Sequence, residues 1–423
     1  MVTNMPENDR KPSLRFKGFN DAWEQCELGN IGTTYTGLSG KNSNDFGHGE
    51  GKYVTYLNVF GNPISNSSMV ERVELDNSQN QVAYGDVFFT TSSETPEEVG
   101  MSSIWLNNDK NTYLNSFCFG FRPKTKVDPY YLAYMLRSPG FRSKMQILAQ
   151  GISRYNISKS RAMELPIMLP SLQEQAKIGM TLEAISNLIT LHQRKYDKLV
   201  NVKKTLLDKM FPENGNDVPK VRFKGFTDAW EQRKLGQFGF YISDGNYGEL
   251  YPKTDQLINQ GIPFIRVNNI KNGYLTNKDL IFIPEKLHET LLSGHLETDD
   301  ILITNRGQIG LVAYVDKSFN NANINAQICL IRTRKEMYSK YLHQYLQIAS
   351  SQSEILAFQT GSALKQLPRA RLNDLTVKFP VNKTEQKIFG DLFFSIDNLI
   401  TLHQRKHEKL QNIKKALLSK MFA

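Results

Sequence analysis

The chain is written twice, and this duplication limits what it can fold into more than any other feature. PSLRFKGFNDAWEQCELG at 12–29 returns as PKVRFKGFTDAWEQRKLG at 219–236, with thirteen of eighteen positions identical. ISNLITLHQRKYDKLVNVKKTLLDKMF at 185–211 returns as IDNLITLHQRKHEKLQNIKKALLSKMF at 396–422, with twenty of twenty-seven identical. Each half runs from a short aromatic and basic motif, through a long middle, into a repeated arm. The division this predicts is a motif segment at 1–29, a module at 30–168, an arm at 169–211, a linker with the second motif at 212–236, a second module at 237–378 and a second arm at 379–423.

The two middles differ in sequence but share a layout. Asp86 to Thr90 (DVFFT) matches Asp300 to Thr304 (DILIT), Cys118 is matched to Cys329, and the stretch from Gly151 aligns without gaps with that from Gly361. Runs rich in β-branched and aromatic residues predict strands at 53–59, 262–267, 310–315 and 326–332, with helices at 129–150 and 338–358. Each middle therefore reads as an α+β module with a mixed or mostly antiparallel sheet.

The arms read as long helices. Ser171 with Glu174, and Asn382 with Glu385, have the spacing of a capping box that opens a helix. An apolar stripe follows at Ile178, Leu182, Ile185, Ile189, His192, Tyr196, Leu199, Val202, Leu206 and Met210. It repeats at Phe389, Phe393, Ile396, Ile400, His403, His407, Leu410, Ile413, Leu417 and Met421. Steps of three and four averaging near 3.5 are those of a coiled-coil seam. The mate of each arm is the other, and a two-fold relation between the halves would lay them antiparallel. His192 and His403 take equivalent seam positions and read as a polar layer that fixes register rather than as a metal site.

Composition enters chiefly by exclusion. No stretch approaches the roughly 18 apolar residues of a membrane span, and the first residues lack the apolar core of an export signal, so a cytoplasmic protein is expected. Cys26, Cys118 and Cys329 form neither a disulfide framework nor a zinc cluster. The formal charge is +10, of which the two middles carry only +3. A polyanion is therefore a reasonable partner, with the arms and connectors holding most of the surplus.

Two segments imitate catalytic motifs. Asp128-Pro129-Tyr130-Tyr131 resembles the loop with which adenine methyltransferases hold a target amine, but it has one proline where two are needed and reads as a helix start. Asp374 with Glu385-Gln386-Lys387 has the residue types of a metal-dependent nuclease, but its counterpart Glu174-Gln175-Ala176 lacks the lysine, and both glutamates are read as caps. No cofactor loop follows a strand and no nucleophile, base and orienter set is present, so no catalytic residue, metal site or bound cofactor is expected.

What remains is a set of side chains suited to reading base edges. In the second module they are Arg266, Asn268, Asn269 and Lys271; Asn305, Arg306 and Gln308; and Lys365, Gln366, Arg369 and Arg371. The first module offers Lys41, Asn42, Asn44 and Asn58, then Arg154, Tyr155, Asn156, Lys159 and Arg161. For Arg306 the alternatives are a bidentate contact to guanine, a phosphate contact, and an ion pair with Asp299 or Asp300.

The duplicated RFKGF-x-D-A-W-E-Q at Arg15 and Arg222, the duplicated N-L-I-T-L-H-Q-R-K arm, and the helix starts at Pro170 to Gln175 and Pro380 to Gln386 together resemble the specificity subunits of type I restriction-modification systems. That resemblance spans nearly the whole chain. It implies two target-recognition domains that each read half of a bipartite double-stranded DNA site, separated by the arms. It also implies a non-catalytic subunit assembled with two methylation subunits and, in the larger complex, two restriction/translocase subunits. Those partners would supply the S-adenosylmethionine, ATP and Mg chemistry. Two other readings stay open: the recognition part of another restriction-modification class, and a coiled-coil scaffold with two adaptor modules that bind no DNA.

Overall fold

The computed structural model describes residues 11–213, 215–362 and 365–422. Met1–Arg10, part of the segment read for an export signal, and Ala363 and Leu364 of the Gly361 alignment lie outside them. The chain divides into two compact units, 1–193 with 404–423 and 194–403, so the boundaries cut through the arms rather than beside the modules.

In the first unit a four-stranded antiparallel sheet runs in the order Gly32–Thr36, Cys118–Pro123, Val87–Thr90, Ser102–Ile104. A three-stranded mixed sheet is formed by Val70–Val73, Phe46–Val54 and Thr112–Leu114. The second unit has a six-stranded sheet ordered Tyr241–Asp244, Ile328–Arg332, Ile301–Thr304, Val312–Tyr314, Tyr274–Leu275, Ile270–Lys271. Beside it lies a three-stranded sheet of Ile281–Ile283, Ile262–Ile265 and Asn323–Ile324. In each unit a further pair joins the end of the repeated motif to the strand before the arm: Glu24–Glu27 with Pro166–Leu169, and Glu231–Lys234 with Thr376–Phe379.

The middle three residues of DVFFT and DILIT are continuously apolar because these are interior strands buried on both faces. Side chains alternate across a strand, so Val87 and Phe89 enter one core while Phe88 enters another, and Ile301 and Ile303 are separated from Leu302 in the same way. The aspartates that open these strands are fully buried. Asp86 accepts two hydrogen bonds from Arg122 at 2.7 Å, and Asp300 accepts two from Arg332 at 2.7 and 2.8 Å. The strand register corrects one expected equivalence. Cys118 lies opposite Thr90 and Ile328 opposite Thr304, so Cys118 corresponds to Ile328, and Cys329 to Phe119.

Other elements depart from the sequence expectation for local reasons. The run 53–59 is strand only to Val54; Thr55 then accepts the Asn58 amide proton and opens the helix Tyr56–Gly61. The helix expected at 129–150 is two helices, Pro129–Met135 and Pro139–Ile147, divided where Pro139 follows the Ser138 cap. Its counterpart is likewise Ser339–Tyr345 and Ala349–Ala357, where Gln352 Nε2 donates to the free Leu346 carbonyl at 2.6 Å. Asp128 caps the first of these helices through the Tyr131 amide, which accounts for its D-P-Y-Y sequence.

The arms are the continuous helices Leu172–Met210 and Lys383–Lys420. At about 1.5 Å per residue these are about 58 and 57 Å long. Ile185, Ile189, His192, Tyr196 and Leu199 are half-buried, as are Ile400, His403, His407 and Leu410, while Ile396 is buried. The expected stripe fails at one equivalent place in each arm: Val202 and Ile413 face solvent, and Lys203 and Lys414 turn inward instead. Lys203 pairs with buried Asp397 at 2.7 Å, and Lys414 lies 5.1 Å from the centre of the Tyr134 ring, where burial lowers its pKa. In the first unit Tyr134 bonds Glu183 and Ser186 on one helix segment and meets Lys414 on the other, while Leu14 N–H, beside the Arg15 that binds Glu174, donates to the Lys420 carbonyl. The two segments are therefore antiparallel there. The Lys203–Asp397 pair, the Arg222–Glu385 pair and Val221 N–H on the Lys209 carbonyl fix the same arrangement in the second unit.

The capping boxes are only half realised. Ser171 Oγ accepts the Glu174 amide proton at 3.4 Å and Asn382 Oδ1 the Thr384 amide proton at 2.8 Å, as helix caps should. The glutamates themselves do not return to the backbone. Glu174 takes Arg15 Nε and Nη2 at 2.7 and 2.8 Å, and Glu385 takes Arg222 at 2.7 and 2.9 Å. The glutamines that follow serve as clamps: Gln175 bridges the Pro170 carbonyl and the Asp128 amide, and Gln386 bridges the Pro380 carbonyl and the Tyr338 amide. Helical Gly179 and Gly390 allow close approach, since a Cβ on either would come within 3.0 Å of the backbone nitrogen of Tyr131 or Tyr341.

Fully buried His343 in the second unit gives a pH prediction. Its Nε2 lies 2.7 Å from the Gly273 carbonyl, Tyr274, Tyr314, Gln344 and Gln347 surround it, and desolvation pulls it down to about 4. An unfolded histidine titrates near 6.5, so below that pH the unfolded state binds a proton that the folded state refuses. Stability from this group is complete above pH 6.5 and falls by about 3 kcal/mol as pH drops to 4. Urea midpoints across this range should fall less steeply for His343→Gln than for the parent; equal slopes would contradict the assignment.

Candidate nucleic-acid interface

The central strand of each unit ends where three loops meet, and the same backbone bonds join them in both. In the second unit the Asn305 N–H donates to the Gln327 carbonyl at 2.9 Å and the Leu367 N–H to the Asn305 carbonyl at 2.8 Å. Arg306 bridges Gln366, and Thr360 and Gln366 exchange backbone bonds across a hairpin. In the first unit the Thr91 N–H donates to the Phe117 carbonyl and the Ile157 N–H to the Thr91 carbonyl. Tyr155–Asn156 pairs with Ser92–Ser93, and Gln150 exchanges bonds with Asn156. The acidic loop after DVFFT therefore occupies the same place as Asn305–Gln308, and each is joined to the hairpin carrying the remaining basic candidates.

These joints bring together candidates far apart in sequence. Arg266, Asn268, Lys271 and Gln308 line one open concavity in the second unit, together with Gln327 and Asp279. Arg306, Lys365, Gln366, Arg369 and Arg371 are exposed on the joined loops; Arg369 lies 3.8 Å from Asp244, and Arg371 is 3.6 Å from Asp374. The Arg306 guanidinium sits 5.2 Å from the centre of the Tyr247 ring. Its expected acidic partners are taken, Asp300 by Arg332 and Asp299 by the Tyr314 hydroxyl, so that ion-pair alternative falls away. In the first unit Arg154, Asn156 and Arg161 are exposed, Tyr155 and Lys159 are half-buried, and the Arg154 guanidinium lies 6.0 Å from the ring centre of exposed Phe117.

Several proposed readers have other work. Asn58 is fully buried; its Nδ2 donates to the Asn66 and Met69 carbonyls and its Oδ1 accepts the Asn66 amide. Asn269, also fully buried, takes the Arg266 amide proton on Oδ1 and donates to the Lys278 carbonyl. Asn305 is 4 % exposed and directs Nδ2 to Cys329 Sγ at 3.2 Å. The first two hold loops in shape and Asn305 turns to the strand at Cys329, so all three amides are buried rather than presented to a groove. Lys41 is half-buried between Asp76 at 3.0 Å and Asp45 at 3.8 Å, while exposed Asn42 caps the short turn that follows it and accepts the amide proton of exposed Asn44. Among the described residues no group of three or more His, Cys, Asp or Glu is placed to hold a metal ion, and no helix is long and apolar enough to cross a membrane.

Residues that the sequence did not single out complete the surface. Phe117 and Gln327 occupy the same position of the same turn, held by Asn115 Oδ1 accepting the Phe117 amide at 2.8 Å and Asn325 Oδ1 accepting the Gln327 amide at 3.2 Å. An asparagine two residues before an exposed side chain, just ahead of a buried strand, is the signal that could have found both.

Two duplicated α+β units, each ending in a loop surface of divergent side chains and each carrying antiparallel helix segments, define a two-module recognition protein. The profile of the type I restriction modification DNA specificity domain matches residues 20–201 and again 227–412, and the chain belongs to that family. It is 23% identical over 322 residues to the type I restriction enzyme MjaVIII specificity subunit of Methanocaldococcus jannaschii, covering 73% of each chain. It is 20% identical over 347 residues to the EcoKI specificity subunit of Escherichia coli K12, covering 80% of this chain and 74% of that one. The S subunit of a type I restriction-modification system from M. genitalium has a similar fold, with a TM-score of 0.59 at 16% identity over 98% of this chain and 99% of that one.

Proposed function

We propose that this chain is the DNA-specificity subunit of a type I restriction-modification complex, with each unit reading one half of a bipartite, asymmetric site. The observation that carries this reading is one loop framework, bonded alike in both units, that presents different side chains in each. A shared frame with divergent tips is what two readers of two different sequences require, because phosphate contacts position while base contacts specify. The chain is non-catalytic and binds no cofactor. Two methylation subunits supply S-adenosylmethionine chemistry, and two restriction/translocase subunits supply ATP and Mg chemistry in the larger complex in the cytoplasm. Co-expression with a methylation subunit, followed by methylome sequencing, should reveal a two-part methylated motif that vanishes without this chain. An assembled complex that methylates no defined motif would refute it.

Arg306 offers a sharper test. It is exposed, free of the two acidic neighbours and braced against Tyr247. If it reads guanine, Arg306→Ala loses about 1 to 3 kcal/mol at one base pair of the second half-site and relaxes specificity there. Affinities for the site and its single-base variants at two salt concentrations check this. Uniform weakening, with the salt dependence reduced by about one, would make Arg306 a phosphate contact.

A further inference from the structure

The turns tipped by Phe117 and Gln327 close through backbone and asparagine bonds. Besides the Asn115 and Asn325 side-chain bonds, the Cys118 N–H closes on the Asn115 carbonyl at 3.1 Å and the Ile328 N–H on the Asn325 carbonyl at 3.2 Å. Behind each turn a strand enters the core, and beside it the turn's own carbonyl at 117 or 327 holds the loop after the central strand. The backbone closure is the same under both tips; the Gln327 side chain adds one bond to it, accepting from Asn325 Nδ2. The two tips differ completely in chemistry, one an aromatic ring 55 % exposed, the other an exposed amide. An exposed ring can gain by being buried against a partner of suitable chemistry.

The surroundings indicate what that is. Phe117 stands beside the Arg154 guanidinium on the hairpin that goes on to Lys159 and Arg161. Gln327 lines the concavity shared with Arg266, Asn268, Lys271 and Gln308, and its Oε1 accepts from Asn325 Nδ2 at 3.1 Å, which orients the remaining amide protons. Cationic and amide side chains around an aromatic or amide tip suit a DNA groove better than an apolar protein surface. An amide can bond an adenine edge, and a ring can stack on a base or wedge into a step.

Resting on the DNA-reading function proposed above, we propose that the residue at this turn tip determines specificity in both modules: Phe117 by apolar contact within the first half-site, Gln327 by hydrogen bonding to a base edge in the second. The two tips sit in one backbone frame, so the variants Phe117→Gln and Gln327→Phe should both fold, Phe117→Gln with the parent's melting temperature and Gln327→Phe slightly below it for the lost Asn325 bond. In the complex with methylation subunits, each should change or relax one half-site and leave the other as in the parent. The expected loss of discrimination is about 5- to 150-fold at the affected base pair. An unchanged motif in both variants, a change in both half-sites from one variant, or equal weakening on all sequences would overturn the inference. A parent complex with no bipartite motif would instead refute the specificity-subunit reading itself, and this inference with it.

Discussion

Replacing residues 30–168 by the corresponding module of a relative is expected to change one half of the methylated motif and leave the other half intact. The four-stranded and three-stranded sheets, the hairpin through Asn156 and the Phe117 turn all lie within that span, while the loops joined at Asn305, Gln327 and Leu367 all lie within 237–378. The effect should be large. Each mismatched pair costs about 1 to 3 kcal/mol, roughly additively, so three altered pairs remove about 3 to 9 kcal/mol from binding to the old site. Methylome sequencing of a host carrying the hybrid with its methylation partner reads both halves at once. If both halves changed together, the modules would not read independently. The graft must leave in place the residues that seat the module: Trp23, the strand Glu24–Glu27 and its partner strand up to Leu169. The first two precede the exchanged span, but Pro166–Met168 fall inside it, so a donor with apolar residues there is the proper choice.

The long-range pattern was legible in the sequence because it is periodic or repeated. The duplication announced two equivalent units, and nine steps of three and four announced each arm. What escaped was decided by burial and by partners distant in the chain. The stripe would place Val202 and Ile413 inward, but Lys203 reaches a buried carboxylate and Lys414 a tyrosine face, and the helix rotates to suit them. Asn58, Asn269 and Asn305 have the chemistry of base readers, yet the donor and acceptor pair of the first two holds loops together and the Asn305 amide nitrogen turns to Cys329, and sequence does not say which use prevails. Cys118 was matched to Cys329 by identity, whereas the ladder pairs by register. At the candidate interface the clusters were visible, but their convergence was not, since it depends on single backbone bonds such as Leu367 to Asn305.

The arginine of the repeated RFKGF motif is structural, and removing it should be among the most damaging single changes. Arg15 and Glu174 are 159 positions apart, and their side chains are 14% and 1% exposed; Arg222 and Glu385 repeat this at 11% and 1%. Each carboxylate faces two guanidinium donors at 2.7 to 2.9 Å. In both units the same short segment, through Leu14 or Val221, also bonds the end of a helix at the Lys420 or Lys209 carbonyl. The pair thus fastens the start of one arm helix and the end of the other to one point. Arg15→Ala would strand a carboxylate away from water, and breaking a buried pair by removing one partner costs about 3 to 5 kcal/mol. Arg222→Ala should cost a similar amount in the second unit. The double variant Arg15→Met with Glu174→Leu removes both charges and fills the space, so it should recover most of the loss. Urea unfolding of the full chain measures all of these. A single arginine variant as stable as the parent, or a double variant worse than the sum of its parts, would show that packing rather than the ion pair holds this joint.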